Sequence, residues 1–157
     1  MCSSDLPDDI DESFAIGFAH AFAERFGLHG QVATGRDMRE SSPALQGALN
    51  EGLRQAGLDV VDLGLCTTEL GYFASTRGRF GATIVVTASH NAARYNGFKC
   101  VLTDGAAVTF ESGLSDVREL MRSGYRREGP MGSLTEEDLH PEYIGFLETC
   151  FDIDALR

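Results

Sequence analysis

A continuous apolar run at residues 82–88, Ala-Thr-Ile-Val-Val-Thr-Ala, limits the possible folds of this chain more than any other feature of its sequence. A run that is apolar at successive positions predicts a strand buried on both faces, as in a sheet with helices on both sides. Strand-sized and helix-sized patterns alternate before and after the run. We therefore predict an α/β fold, a layered domain with a mixed, mostly parallel β-sheet sandwiched by helices, with residues 81–87 at the centre of the sheet.

The flanking sequence predicts the order of the other elements. Asp11 is the predicted cap of a first helix, and Ser42 is the predicted cap of a second helix. Ser133 and Glu136 match a capping box, which predicts that a last helix begins there. Strands are expected at residues 31–34, 58–63 and 97–102, further helices at 69–76 and 111–121, and a linker at 123–133.

The acidity of the chain excludes some partners. Its formal charge is −11, and a surface of that sign repels nucleic acid and anionic membranes, so neither is expected as a partner. No run approaches the ~20 apolar residues of a membrane-spanning helix. The N-terminus shows no signal-peptide pattern, so we expect a cytoplasmic protein. The cysteines form no C-x-x-C pair, which favours reduced thiols over a zinc site; they are Cys2, Cys66, Cys100 and Cys150.

A serine, Ser89, follows the apolar run almost directly. Ligands of open α/β sheets bind beyond the carboxyl ends of the strands, where this serine is expected to lie. Asn96 and Gly97 predict a tight turn, because both residue types accept positive φ. The strand that follows this turn is expected to return Lys99 to the neighbourhood of Ser89. Taken singly, a loop serine and a surface lysine indicate no function, so the specific signal is their combination.

Two short motifs carry a resemblance to a known family. Thr-Ala-Ser-His-Asn at residues 87–91 and Tyr-Asn-Gly-Phe-Lys at residues 95–99 resemble the active-site signature of the α-D-phosphohexomutases. The segments at residues 35–43 and 62–69 resemble other parts of the first domain of that family. The tyrosine of the second motif makes the sequence most similar to the phosphomannomutase/phosphoglucomutase members.

The resemblance implies a mechanism of phosphoryl transfer. Ser89 is then the catalytic serine that carries a phosphoryl group and exchanges it with a hexose phosphate through a bisphosphate of the glucose 1,6-bisphosphate type. Lys99 matches the family lysine that handles the proton of the sugar hydroxyl group. Mg²⁺ is the implied cofactor, bound to Ser89 through its phosphate. The residues that match substrate-contacting or loop-shaping positions of the family are His90, Asn91, Tyr95 and Asn96.

Members of that family have four domains around one cleft, and the other loops that bind Mg²⁺, sugar and phosphate lie in the later domains. The resemblance therefore implies a first domain at residues 1–132 and a connector helix toward a second domain at residues 133–157. The implied partners are a hexose phosphate and the remaining mutase domains, and the chain alone is expected to be inactive. Ala92 stands where the family usually has proline, and the N-terminus lacks the family's arginine-bearing segment.

A non-catalytic module that binds a phosphosugar or a partner protein is the alternative function that the sequence leaves open. A serine hydrolase is not favoured, because Ser89 lacks the Gly-x-Ser-x-Gly elbow and the neighbouring His90 is poorly placed as its base. Neither the P-loop fingerprint nor the dinucleotide-binding fingerprint occurs in the sequence.

Overall fold

A computed structural model describes residues 10–151 of the chain. Cys2, the N-terminal departure from the family pattern and the last residues of the predicted connector lie outside the described residues. The helices are α1 (Glu12–Arg25), α2 (Ser42–Gln55), α3 (Thr68–Ser75), α4 (Ser115–Arg122) and α5 (His140–Cys150). The strands are β1 (Gln31–Arg36), β2 (Asp59–Leu65), β3 (Ala82–Val86), β4 (Phe98–Leu102) and β5 (Leu134–Glu136), and a π-helical turn (Phe110–Leu114) precedes α4.

The five strands form one sheet in the order β4-β3-β1-β2-β5. All neighbouring pairs are parallel except β3 and β4, which are antiparallel. The predicted α/β class with a mixed, mostly parallel sheet is therefore confirmed. The prediction that the apolar run occupies the centre is wrong by one position, because β4 returns along the outer side of β3 and leaves β1 in the middle. All five residues of β3 are nevertheless buried.

Helices cover both faces of the sheet, as predicted. One apolar core packs α1, α2 and α4 against the sheet, with Phe18, Phe22 and Leu49 among its buried side chains. The opposite core packs α3 and the start of α5 against the other face, through Leu70 and Leu139. No helix within residues 10–151 has both the length and the apolar character required to cross a bilayer.

The predicted start of the first helix is confirmed, whereas that of the second is wrong. Asp11 caps α1, since its carboxylate accepts a hydrogen bond from the Phe14 N–H at 2.7 Å. In α2 the cap position belongs to Ser41, which makes no side-chain cap bond. The Ser42 hydroxyl instead donates to Asp37 Oδ1 at 2.6 Å and is buried beneath the loop that precedes the helix.

Two helix predictions in the second half of the chain also need correction. The predicted helix at residues 111–121 is divided at Gly113, where φ is 148°, into the π-helical turn and α4. The capping box at Ser133 does not start a helix. Its N–H and hydroxyl both donate to Asp59 Oδ1, at 2.8 Å and 2.7 Å, and this places the next residues beside β2 as the edge strand β5. The domain boundary at residues 132 and 133 stays a prediction.

Candidate functional site

A cavity of about 490 Å³ opens where β1, β2 and β3 end, and we call it the serine cleft. Three of the predicted site residues, Ser89, His90 and Lys99, line it together. Lys99 reaches it because β4 pairs with β3 in a register that places Lys99 opposite Val85. The sheet topology thus brings the predicted serine and lysine into one cavity, while the chemical roles assigned to them stay predictions.

Ser89 has a backbone conformation that serines rarely adopt. Its φ is 56°, and it is the only non-glycine residue with positive φ among residues 10–151. Its N–H donates to Thr87 Oγ1 at 2.9 Å. Such a conformation costs free energy and persists only where surrounding contacts fix it, which is common at functional sites. The conformation of Ser89 therefore supports a functional role for the loop at residues 87–97, which we call the serine loop.

The other predicted site residues support the serine loop. The Asn91 N–H donates to the Ala88 carbonyl at 3.1 Å and forms a turn. The Tyr95 hydroxyl accepts from Arg94 at 3.0 Å. Asn96 is buried, and its Nδ2 donates to the hydroxyl oxygens of two serines at the start of α2, each at 2.9 Å. The contacts of Asn91 and Asn96 favour a loop-shaping part for these two residues, whereas the Tyr95 hydroxyl contacts only its exposed neighbour in the described part of the chain.

Arg39, which the sequence patterns did not single out, makes the most extensive contacts with the serine loop. Its Nη1 donates to the carbonyl oxygens of Ala92 and Tyr95, at 2.8 and 3.1 Å. Its Nη2 donates to the carbonyl oxygens of Ser89 and Asn91, at 3.0 and 2.9 Å. The signal that could have revealed it is the polar segment Gly-Arg-Asp-Met-Arg-Glu-Ser-Ser directly after a strand.

Asp37 connects this arginine to the sheet. Its N–H donates to the Val86 carbonyl at 3.0 Å, and its Oδ2 accepts from Arg39 Nε at 2.9 Å. Burial alone raises the pKa of this carboxyl group. Hydrogen bonds from Ser42, the Arg39 N–H and Thr87 outweigh burial, so the pKa lies below its ordinary value. Asp37 is therefore held as a carboxylate that stabilises the floor of the serine cleft.

The serine cleft combines features that favour an anion with two carboxylates that oppose one, Asp37 and Glu69. Thr67 caps α3, its Oγ1 accepting from the Leu70 N–H at 3.2 Å, and Thr67 and Thr68 line the cleft. The amino end of a helix carries a partial positive charge, which stabilises phosphate groups. Lys99 adds an amino group that can donate hydrogen bonds to an anion, whereas the carboxylates of Glu69 and Asp37 line the same cleft.

The thiol in the serine cleft is not arranged for nucleophilic attack. Cys66 is buried, and burial raises the pKa of its thiol to about 11. A thiol with that pKa is almost fully protonated at neutral pH, and the thiolate is the reactive form. The hydroxyl of Ser89 is therefore the better candidate for a group-carrying side chain in this cavity.

A larger cavity of about 550 Å³ adjoins the serine cleft and shares His140 with it. Asp62 is one of four carboxylates that line it. One oxygen of Asp62 accepts from Gln46 Nε2 and from the Gly64 N–H, both at 2.7 Å, and the other accepts from Asn50 Nδ2 at 3.0 Å. These bonds engage both oxygens of Asp62, so this polar group stabilises the ends of β1 and β2.

The described residues do not form a complete metal site. Within residues 10–151, no group of three or more His, Cys, Asp and Glu side chains is arranged to hold a metal ion. The carboxylate of Asp37 lines the serine cleft, but Arg39 and Ser42 already engage both of its oxygens.

Comparison with known proteins gives one consistent family. Residues 4–124 match the family model described as "Phosphoglucomutase/phosphomannomutase, alpha/beta/alpha domain I". The chain is 40% identical over 114 residues to proteins named phosphohexose mutases in Xanthomonas campestris, covering 73% of this chain and 25% of theirs. It is 38% identical over 152 residues to a phosphomannomutase of Escherichia coli, covering 95% of this chain and 33% of that protein.

A solved structure gives the same relationship in three dimensions. The crystal structure of a phosphoglucomutase/phosphomannomutase family protein from Burkholderia thailandensis has a TM-score of 0.80 and 34% identity, covering 90% of this chain and 32% of that one. The chain thus spans between 25% and 33% of the length of these relatives.

Proposed function

Because the chain belongs to the phosphoglucomutase/phosphomannomutase family, we propose that it is part of an isomerase that moves a phosphoryl group between two hydroxyl groups of a hexose phosphate. The observation that carries the proposal is Ser89, held at positive φ in a cavity that it shares with Lys99 and the amino end of α3. A phosphorylated serine carries a charge of roughly −2, and a helix amino end and a lysine are groups that stabilise it.

The proposed reaction has two balanced transfers. In the first, the bond between phosphorus and Ser89 Oγ breaks as a new bond forms between phosphorus and the sugar hydroxyl oxygen. Lys99, as a neutral amine, accepts the proton that this hydroxyl group loses, Ser89 Oγ is left as the leaving oxygen, and the product is a hexose bisphosphate. In the second, Ser89 Oγ takes the other phosphoryl group, and the sugar oxygen released from that group receives the proton. Positioning and electrostatic stabilisation account for most of the catalysis of such transfers.

We propose Mg²⁺ as the cofactor, with a phosphate oxygen on Ser89 as the ligand that this chain provides. Bound Mg²⁺ neutralises negative charge on the group in transfer. Within residues 10–151, no group of three or more His, Cys, Asp and Glu side chains is arranged to supply further ligands. Removal of Mg²⁺ with a chelator is expected to abolish transfer without lowering the melting temperature, because the cores of the described fold are held by apolar packing.

The experiment that tests the proposed function locates the phosphate. The chain, joined to the later domains of the Escherichia coli relative, is incubated with Mg²⁺ and glucose 1,6-bisphosphate and mapped by peptide mass spectrometry. We expect phosphate on Ser89 alone, and Ser89→Ala is expected to abolish both the label and isomerisation of mannose or glucose 1-phosphate. Ser123→Ala is the matched control, since Ser123 is exposed at the end of α4, where its hydroxyl donates to the Leu120 carbonyl, and is not among the residues that line the serine cleft.

Two outcomes would contradict the proposal. An active protein labelled on another serine would show that Ser89 is not the carrier. Binding of a hexose phosphate without any transfer would favour the non-catalytic binding module instead. We also propose that the protein is a cytoplasmic phosphoprotein, which cell fractionation and detection of phosphorylated Ser89 in extracts would test.

A further inference from the structure

Arg39 uses every hydrogen-bond donor that it has. A guanidinium group carries five N–H donors, and here Nε donates to Asp37 Oδ2 while Nη1 and Nη2 donate to four carbonyl oxygens. Only 11% of the side chain of Arg39 is exposed. An arginine with five engaged donors and a carboxylate partner has none left for a phosphate group. Arg39 therefore acts on the serine loop and not on a ligand.

The contacts of Arg39 fix one of the two peptide groups that flank the Cα atom of Ser89. The Ser89 carbonyl accepts from Arg39 Nη2, which sets the orientation of the peptide group after the serine. The Ser89 N–H donates to Thr87 Oγ1, which sets the peptide group before it. With both peptide groups fixed, φ and ψ of the serine are determined, including the costly positive φ of 56°.

Both of these restraints rest on the sheet. Thr87 directly follows β3, and the carboxylate of Asp37 holds the Arg39 side chain by accepting from its Nε at 2.9 Å. The Ser42 hydroxyl donates to the other oxygen of the Asp37 carboxylate. Because Asp37 bonds to β3 through its own N–H, the restraints on Ser89 are built on the rigid sheet.

We propose that Arg39 is the positioning residue that holds Ser89 in the conformation from which phosphoryl transfer occurs, a role that rests on the proposed function of Ser89. The side chain acts through four carbonyl groups spread over residues 89–95, so it fixes the serine and the following turn as one unit. A lysine cannot replace it, since an ammonium group has three donors on one atom and lacks the planar fork.

Nuclear magnetic resonance of the chain tests the positioning role without any activity. In Arg39→Lys, we expect amide exchange at Ser89, Asn91 and Tyr95 to rise about tenfold or more, because hydrogen bonds from a charged donor are lost. The backbone chemical shifts of Ser89 should also leave the values typical of positive φ. Exchange in β1 and β3 is expected to stay within about threefold of the unmodified chain, since global stability is not the property under test.

Arg94→Lys is the matched control, because Arg94 lies in the same loop but, among residues 10–151, contacts only the ring and hydroxyl of Tyr95. It should leave the exchange of the serine loop unchanged. If Arg39→Lys fails to fold, the unmodified chain still tests the positioning role of Arg39. Its Arg39 side chain should show separate, slowly exchanging Nη hydrogens, whereas those of Arg94 should be averaged by rotation. Unchanged loop exchange in a folded Arg39→Lys, or averaged Nη signals from Arg39, would overturn the proposal.

A kinetic comparison then connects the position of Ser89 to its reaction. In the fusion protein described above, Arg39→Lys should lower the maximal rate of Ser89 phosphorylation by about a hundredfold, because misplacement of a reacting group costs rate. The half-saturating concentration of bisphosphate should change little, since Arg39 does not touch the ligand. A rise in the half-saturating concentration by the same factor as the fall in the maximal rate would contradict a positioning role. Absence of phosphorylation in the unmodified protein would contradict the function of Ser89 and leave the resonance result as a separate finding.

Discussion

The serine loop and the C-terminal segment at residues 133–150 border the same end of the sheet but are held in place in opposite ways. The serine loop is fixed by side chains that are distant in sequence, above all by Arg39 and Ser42, in a network that is largely shielded from water. The C-terminal segment is fixed by backbone pairing of β5 with β2 and by Leu139, whereas α5 itself buries no residue completely.

This difference indicates how each region responds to change. A polar network engages each donor and acceptor with a specific partner, so removal of one atom leaves its partners unsatisfied. An edge strand that pairs through its backbone tolerates most side-chain changes but not a change in the space available to the backbone. We therefore expect the serine loop to be sensitive to small polar substitutions and the C-terminal segment to be sensitive to one close backbone approach.

The largest expected effect comes from Gly132→Ala, just before the C-terminal segment. A Cβ atom at Gly132 would overlap the carbonyl oxygen of Leu58, a backbone atom that cannot rotate away. The overlap also disrupts the contacts with Arg54, whose Nε donates to the Gly132 carbonyl at 3.0 Å and whose own carbonyl accepts from the Gly132 N–H at 2.9 Å. We expect the free energy of unfolding, measured in urea, to fall by about 3 kcal/mol.

Gly145→Ala is the matched control in the same region. Gly145 lies inside α5, and a Cβ atom added to it would meet no described atom within 4 Å beyond the backbone of its own helix, so alanine adds helix propensity without a clash. It should raise the free energy of unfolding by roughly 0.5–1 kcal/mol. Amide exchange distinguishes the regions, since Gly132→Ala should expose β5 and leave the serine loop protected. An equal loss of amide protection in β5 and in the serine loop would show that the two regions do not open separately.

Sequence patterns alone predicted the fold better than they predicted these two regions. The α/β class, the alternation of elements and the cap at Asp11 follow from local periodicity and capping, which lie within a few neighbouring residues. The serine loop depends on Arg39, 50 residues before Ser89, and no local pattern reports that contact. The capping box at Ser133 failed for a related reason, because Asp59, 74 residues earlier, takes both of its donors.

A smaller effect is expected from Ser42→Ala, which removes one hydroxyl from the network beneath the serine loop. This hydroxyl is fully buried, donates to Asp37 and accepts from Asn96. We expect a loss of about 2 kcal/mol in unfolding free energy, because buried partners are left with weaker bonding. Faster amide exchange in the serine loop should accompany it.

Ser133→Ala removes a comparable hydroxyl from the C-terminal segment and sharpens the comparison. Its hydroxyl donates to Asp59 Oδ1 at the surface, and the N–H of the same residue keeps its bond to that oxygen after the substitution. The expected loss is below about 1 kcal/mol. A cost for Ser133→Ala as large as that for Ser42→Ala would show that burial of the network is not what separates the two regions.

The smallest expected effect is on the pH dependence of the free energy of unfolding. It is tested by a comparison of Asp37 with Glu137, which pairs with Arg79 next to β5 at 2.8 Å. Both carboxyl groups have pKa values below their ordinary ones: for Asp37 the hydrogen bonds outweigh burial, and for Glu137 the hydrogen bond from Arg79 is the main cause. A depressed pKa means that the unfolded chain binds more protons than the folded chain. The stabilisation is therefore fully present above the ordinary pKa, which is 3.8 for Asp37, and is lost as pH falls through the lower folded value.

We expect Asp37→Asn to reduce the slope of unfolding free energy against pH in that acidic range, and to do so at low and at high salt. Glu137→Gln should reduce the slope only at low salt, because an exposed ion pair is screened and a shielded one is not. Urea titrations across the acidic range, at two salt concentrations, measure both slopes. Equal salt sensitivity of the two variants would mean that water and ions reach Asp37 as freely as they reach Glu137, and the shielded network proposed to hold Ser89 would not exist in solution.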